Sequence, residues 1–529
     1  MKCLSPSLAS DKRGVVAPVV ALSLFALIAV GGLAFDYAHM AALDTELQQA
    51  ADQAALAAAT QLDGKANAIA RATAAAQNLV VNNTRFANDI PSRAITIPTL
   101  TFYDSYDQST DAFGTVTTAD ASAKVVKVAV GGRKAYFALT PIVAWLNTGA
   151  NNSGAMNAEA VASVGSAICK TPPVMLCNPD EPSNNTNENL SFTAVKGVGL
   201  RLVTGNATVP GNFGWLQAGI ANGSSALASA LGYNSPPGNC QPVDGVTTKT
   251  GMDASVLTAL NTRYDVYANG NTTCPSQYGG TCSPAMNTRK DLVCGPDSAK
   301  TGCKNDTWNE AFIPYHPASA VALPSDGSGD PSIMGYPKDL CQAVPRSTVL
   351  AGSCAVKGTG TWDRDAYFRV NYGYANEAAW RAGMGLTSTA PLPTRFEVYQ
   401  WELTHQTLTV GGKSVGMAVP QIDNKSRAFS YPATGRPGVA ASTTQADRRR
   451  ISVAVLNCQA LNVNGKVSNA PVASWLDIFL VEPAIDRSDK VNGQFTDQKD
   501  VYVEIIGVTT ASSANAGQVV RRDKPYLIR

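Results

Sequence analysis

The chain has 529 residues, of which 45% are hydrophobic and only 16% charged, below the ~25% usual for soluble domains. Lysine plus arginine (42) nearly balances aspartate plus glutamate (40), so the sequence gives no electrostatic case for binding nucleic acid. The apolar content suffices for one large core or two ordinary ones.

Residues 1–14 read as a short cytoplasmic tail carrying Lys2, Lys12 and Arg13. From Gly14 through Phe35 no side chain is charged, and Ser23 is the only polar one. Val, Leu, Ile and Phe dominate the run, each worth about −0.3 to −0.6 kcal/mol on insertion into a bilayer. Residues 15–35 therefore match the ~20 positions a helix needs to cross ~30 Å of hydrocarbon. The basic flank keeps the N-terminus inside and sends the rest of the chain across. A cleaved signal peptide has an apolar region of only ~7–15 residues, so this longer helix is expected to be retained. A prepilin leader counted from Gly14 would need glutamate where Val19 stands, which argues against that processing.

Residues 36–82 change to an alanine-rich pattern. Leu43, Leu47, Ala50, Ala54 and Ala57 fall on one helical stripe, and no proline or glycine interrupts before Gly64. The membrane helix is thus expected to continue outward, with Leu62–Ala87 helical as well. Small residues recur one turn apart at Ala34, Ala38 and Ala42, and again at Ala50, Ala54 and Ala58, which permits close approach of another element. The candidate packing face is Ala34, Ala38, Ala42, Leu43, Leu47, Ala50 and Ala54. Its first expected occupant is the chain's own domain, and a second copy or partner helix is the alternative.

Arg13-Gly14, the small-rich apolar run, Gly31-Gly32-Leu33-Ala34-x-Asp36 and Glu46-Leu47-Gln48-x-Ala50-Ala51-Asp52-x-Ala54-Ala55-Leu56-Ala57 together resemble the N-terminal module of TadE/TadG-like Flp (tight adherence) pilus assembly proteins. The segments Asp447–Cys458, Trp475–Pro483 and Asp500–Gly507 are similar to the C-terminal ends of TadG-related proteins. The resemblance implies a bitopic inner-membrane component of a surface-fibre machine, working beside pseudopilins and an inner-membrane platform, without catalysis. Some such proteins carry a von Willebrand A domain, whose metal site needs Asp-x-Ser-x-Ser. No such motif occurs here, so that domain is not expected.

The expected fold class is α+β: a transmembrane helix continuing into an extended helix, then a disulfide-stabilised mixed region with a β-rich C-terminus. Residues 83–168 read as a pilin-like α+β region with strands at Ala94–Phe102, Ala123–Val130 and Ala158–Ala167, and a further strand and short helix within Arg133–Trp145. Residues 169–393 are rich in Cys, Pro and Gly, with short helices at Ala254–Leu260 and Asn376–Met384. Residues 394–529 read as sheet, with strands at Phe396–Leu403, Ile451–Leu456, Trp475–Val481 and Val501–Val508. Both faces of Trp475–Val481 are mostly apolar, which marks a central strand.

Cys3 lies on the cytoplasmic side, and the other ten of the 11 cysteines are expected outside. These are Cys169, Cys177, Cys240, Cys274, Cys282, Cys294, Cys303, Cys341, Cys354 and Cys458. An even number in an oxidising compartment reads as disulfides, with the pairing left open. No Cys-x-x-Cys pair occurs and there are only 3 histidines, so zinc is not expected.

The chain lacks a His-Glu-x-x-His and a phosphate-binding Gly-x-x-x-x-Gly-Lys, and Gly197-Val198-Gly199 is not a dinucleotide fingerprint. His39, His316 and His405 are scattered. Asp477, Glu482 and Glu504 are expected as exposed strand carboxylates rather than an acid/base pair, and Arg448-Arg449-Arg450 as a solvated turn. Asp326–Asp330 lacks the glutamate that completes a calcium loop. No catalytic residue, cofactor or metal is assigned. The sequence reads as a bitopic inner-membrane structural component of a Flp-type pilus machine, with most of the chain periplasmic. The alternative is a membrane-anchored periplasmic enzyme or ligand-binding protein whose site the sequence does not reveal.

Overall fold

The computed structural model describes residues 16–63, 66–79, 83–90, 93–97, 99–107, 111–120, 122–140, 153–165, 167–168, 171–203, 209–217, 219, 223–238, 241–242, 245–249, 256–267, 273–294, 308–405, 409–410, 413–414, 427–428, 437–442, 445–509 and 524–528. The chain divides into two compact units, one of residues 1–165 with 523–529 and one of residues 166–522.

The first unit is a long helix on an antiparallel sheet. Helix α1 spans Val16–Ala59, 44 residues, with Pro18 confined to its first turn, where no intrahelical bond is lost. Strands β1 (Thr99–Tyr103), β2 (Val125–Tyr136) and β3 (Ser153–Gly165) follow, and the C-terminal strand Lys524–Leu527 adds to the far edge of β3. The sheet order is β1-β2-β3-C-terminal strand. Alternation along β2 and β3 places Val126, Val128 and Val130 with Ala158, Ala160 and Ala162 in the core beneath α1. Alanines on helix and strand meet there, so the two backbones lie close. Helix α2 (Ala68–Leu79) packs Ala72 and Ala76 into the same core. The Asp120 carboxylate accepts from the amides of Asn67 and Ile69 at the start of α2, at 2.7 and 3.0 Å. The expected continuous helix over Leu62–Ala87 is corrected to this shorter one. Helix α1 ends at Ala59, and Asn67 turns the chain with a positive φ of 64°.

In the second unit, strands β4 (Val174–Cys177), β5 (Gly199–Val203), β6 (Phe213–Trp215), β7 (Arg450–Leu456), β8 (Ser474–Leu480) and β9 (Asp500–Val508) form one sheet, ordered β5-β9-β8-β7-β4-β6. Only β4 and β7 pair in parallel. Strand β8 is central, and its Leu476, Ile478 and Leu480 share one face. That face packs on helices α3 (Ser224–Gly232) and α4 (Leu257–Asn261). The opposite face carries Phe479, Val481 and Tyr502 against an aromatic layer from α5 (Arg364–Tyr372), α6 (Glu377–Gly383) and α7 (Arg395–Thr404). Three strands of this sheet come from the Cys/Pro/Gly-rich stretch.

The strand expected at Phe396–Leu403 is corrected to helix α7. Thr394 and Glu397 form a capping box, and Arg395, Val398, Tyr399 and Glu402 are buried at helical spacing. Aromatic content resembling a strand gave way to that cap and to the layer it packs in. Glu504 on β9 reinforces the start of α7, accepting from the amides of Arg395 and Phe396 at 2.9 Å each and from the Arg395 guanidinium at 2.5 Å. Arg395 also pairs with Asp339, and all three side chains are fully buried.

Three disulfides are present among the described residues: Cys177–Cys458, Cys274–Cys282 and Cys341–Cys354. The first joins the ends of the parallel neighbours β4 and β7. Cys3, Cys169, Cys240 and Cys303 lie outside the described residues, as does the side chain of Cys294.

Two stability tests follow from the second unit. Arg395→Met leaves Asp339 and Glu504 buried without their cation and should lower unfolding stability by about 3–5 kcal/mol. Cys177→Ser with Cys458→Ser should cost about 2–4 kcal/mol by freeing the unfolded chain. Urea unfolding of the detergent-solubilised chain, followed by tryptophan fluorescence, measures both.

Candidate functional site

The described part of the chain contains one helix long and apolar enough to cross a membrane, α1, whose most apolar window has a mean hydropathy of 2.4. Over its first five turns apolar side chains are exposed on every side, among them Leu22 (70%), Leu27 (70%) and Val30 (67%). Water would not tolerate such a surface, but lipid does. Farther along, the helix becomes one-sided. Leu43, Leu47, Ala50 and Ala54 are buried on the sheet of their own unit, together with Ala51, Ala55, Ala58 and Ala59. Ala42 is half-buried, whereas Ala34 and Ala38 are exposed. The seven packing candidates thus split. Those from Leu43 onward cover the chain's own sheet, and Ala34 and Ala38, nearer the helix N-terminus, face away from it.

A carboxylate latch marks the transition between the two regimes. Asp36 is 2% exposed and accepts three successive backbone N–H bonds, from Ala138 at 2.9 Å, Leu139 at 3.0 Å and Thr140 at 2.6 Å. The Thr140 hydroxyl donates a fourth at 2.8 Å. One turn back, Gly32 is buried beneath Leu139, and a Cβ on that glycine would lie 2.8 Å from the Leu139 Cβ. The Gly32…Asp36 spacing of one helical turn therefore has a physical purpose. Glycine admits the β2–β3 connection against the helix, and aspartate grips its amides. Desolvation pushes the Asp36 carboxyl up, but the Thr140, Ala138 and Leu139 bonds outweigh it and hold the group below its usual range. Higher up, Glu46 accepts from the amides of Arg85 and Phe86 at 3.0–3.3 Å, and Met40 fills the space left by Gly154 on β3. Gly32 and Asp36 were visible in the sequence as a motif, but their partners at 138–140 were not.

The ionisable groups of the second unit are placed differently from expectation. Asp477, Glu482 and Glu504 are not exposed strand carboxylates. Asp477 pairs with Arg450 and accepts from the Ser452 and Thr509 hydroxyls at 2.6 and 2.9 Å. Glu482 lies 3.6 Å from Lys338 and 3.7 Å from Arg487. The structure does not bring the three carboxylates together as an acid/base pair, since each faces its own cations. Nor is Arg448-Arg449-Arg450 a solvated turn, because all three side chains are buried. Arg448 donates to the carbonyls of Gly232, Tyr233 and Ser283, the first two at the open end of α3. Arg449 donates to Leu480 and Val481 and lies 4.7 Å from the Phe479 ring centre. Guanidinium groups with that many acceptors can be buried where a solvated reading of the sequence saw only charge.

The histidines are dispersed. His39 packs edge-on against Phe86, with ring centres 5.5 Å apart. His405 ends α7 beside Trp401. His316 stacks on Phe495 at 4.0 Å with Nε2 2.6 Å from Glu310. It borders a cavity of about 20 Å³ that Lys338, Glu482, Asp291 and Arg487 also line. That volume holds about one water, and the lining charges bond one another, with Arg487 2.8 Å from Asp291. Asp330 is engaged by Arg369 at 2.7 Å, and Asp326 accepts from the Ser328 amide in a turn. No cluster of three His, Cys, Asp or Glu side chains suited to a metal occurs among the described residues. Lys290, which sequence reasoning did not single out, lies 4.1 Å over the Trp308 ring, and burial pushes its ammonium down to about 7.

The latch makes a pH-dependent prediction. A carboxyl lowered by folding contributes stability that is whole above its ordinary value of 3.8 and is lost as pH falls through the folded value. Asp36→Ala should leave three part-buried amides without this acceptor and destabilise the first unit by about 1–3 kcal/mol at neutral pH. The difference from wild type should narrow as pH falls below 3.8 and be smallest in strong acid, where the carboxyl is neutral and accepts more weakly. Proteolysis of the first unit across a pH series, with an acid-stable protease at the low end, reads both effects.

No curated protein and no solved structure matched the chain. Residues 14–61, which hold the apolar span, Gly32, Asp36 and the packed alanine stripe, match the family of TadE/G-like Flp pilus-assembly proteins.

Proposed function

We propose that this chain is a bitopic inner-membrane structural component of a Flp-type pilus assembly machine. Its N-terminus is cytoplasmic and its two folded units are periplasmic. The observation that carries this reading is the family match over residues 14–61, on a helix that is apolar all round and then amphipathic within one unbroken element. A bare anchor would need only the apolar part. The continuation, gripped at Asp36 and buried from Leu43 onward, makes the anchor and the first folded unit a single mechanical piece. The exposed Ala34 and Ala38 face then serves as the contact for a partner in the machine, because small side chains let a second helix approach closely in lipid.

Reporter fusions placed after Leu62 should be active only with a reporter that works outside the cytoplasm. Ala34→Leu with Ala38→Leu should abolish fibres by steric exclusion while protein level and protease resistance stay normal, since neither side chain is buried in the chain's own fold. Electron microscopy of fibres beside an immunoblot of the chain separates the outcomes. Normal fibres in a strain lacking the whole chain would refute the assembly role.

A further inference from the structure

The latch has a geometric consequence for the folded unit. Asp36 is the first residue beyond the apolar span, and Leu139 packs on Gly32, four positions inside that span. At 1.5 Å of rise per residue, Leu139 therefore contacts the helix about 6 Å on the lipid side of Asp36. The Phe86 ring meets His39, about 4.5 Å on the outer side. The headgroup layer of a bilayer is itself roughly 5–7 Å thick on each side. The lower end of the first unit thus cannot stand clear of the membrane if α1 crosses it.

The surface at this end suits that position. Phe86, Ile90 and Tyr136 are 36%, 47% and 46% exposed, and Ala138 is exposed beside them. The loop carrying Phe86 and Ile90 is tied to the end of β2. Asn88 bonds Tyr136 through both its amide atoms, at 2.7 and 3.2 Å, and Asp89 holds the buried Arg133 at 2.6 Å. These apolar side chains are therefore presented on a braced platform. Arg85, Arg93 and Lys134 are exposed around it, as suits lipid phosphates. The amino-acid sequence continues from Tyr136 through Leu146 without a charge and includes Trp145.

We propose that Phe86, Ile90, Tyr136, Ala138 and Leu139 form a seat embedded in the interfacial layer of the bilayer, continuous with the apolar surface of α1. This rests on the reading of α1 as a membrane span and adds to it. The first unit is held to the membrane by its own loops as well as by its helix, which fixes the unit's height and tilt and the direction of the Ala34 and Ala38 face.

The test is photo-crosslinking of the full chain in vesicles of equal parts phosphatidylcholine and phosphatidylglycerol. Benzoylphenylalanine is placed singly at Phe86, Ile90, Ala138, Leu27 and Val116. Val116 is 60% exposed at the opposite end of the sheet, where β2 begins, and serves as control. Mass spectrometry should find lipid adducts at Phe86, Ile90 and Ala138 in yields about tenfold above Val116, and at Leu27 as well. Adducts at Leu27 with the three loop positions at the Val116 level would overturn the seat and leave the span standing. Absence of lipid adducts at Leu27 would overturn the span and the seat together. Crosslinks from the loop positions to a second copy of the chain, in place of lipid, would also overturn the seat.

Discussion

A carboxylate aimed at unpaired backbone amides is the interaction on which this molecule turns. Asp36 takes three successive N–H groups of the β2–β3 connection, which have no partner in their own described strand ladder at that point and are satisfied by the helix instead. Because the donors are backbone, the bond fixes the path of the chain rather than a side chain. Gly32 completes the device by removing the Cβ that would hold Leu139 off. The helix register, the height of the sheet along the helix and the burial of Leu43 and Leu47 all follow from where this grip is applied.

The second unit solves the same problem with larger groups. Glu504 closes the start of α7, and Arg448 closes the end of α3 by donating to its last carbonyls. Arg395 then neutralises Glu504 and Asp339 in the interior. A sheet covered on both faces by short helices has many helix ends to satisfy, and short helices have few internal bonds to spare. The burial of Glu504 and Arg448 is explained by that requirement. Around Glu402 the Tyr336, Tyr367 and Tyr372 hydroxyls and Asn287 all converge as donors, which again leaves no free acceptor.

The disulfides add a different kind of constraint. Cys177–Cys458 spans a sequence separation of 281 residues and joins neighbouring parallel strands. It bounds the excursions of the unfolded chain across most of the second unit, whereas Cys274–Cys282 and Cys341–Cys354 pin local loops. Long-range and local bridges together suit a unit whose middle third is loop-rich.

The sequence by itself determined the elements whose signal is periodic and local. The charge-free run and the alanine stripe specified α1, and the β-branched runs around Ile451, Trp475 and Val501 specified three adjacent strands, with Trp475–Val481 correctly central. The cysteines announced disulfides but not their partners. Tertiary structure alone decided which charges would be buried and why. Asp477, Glu504 and Arg448–Arg450 look solvent-directed in sequence because hydropathy scores each residue singly. Their partners lie from 25 to 216 residues away in the bonds to Ser452, Arg395 and Gly232. Aromatic content alone also misread α7 as a strand, because its cap and its packing layer are what fix the period. The Gly32 and Asp36 motif was legible as a pattern, yet its meaning waited on residues 138–140, since a hydrogen-bond partner is set by the fold and not by spacing along the chain.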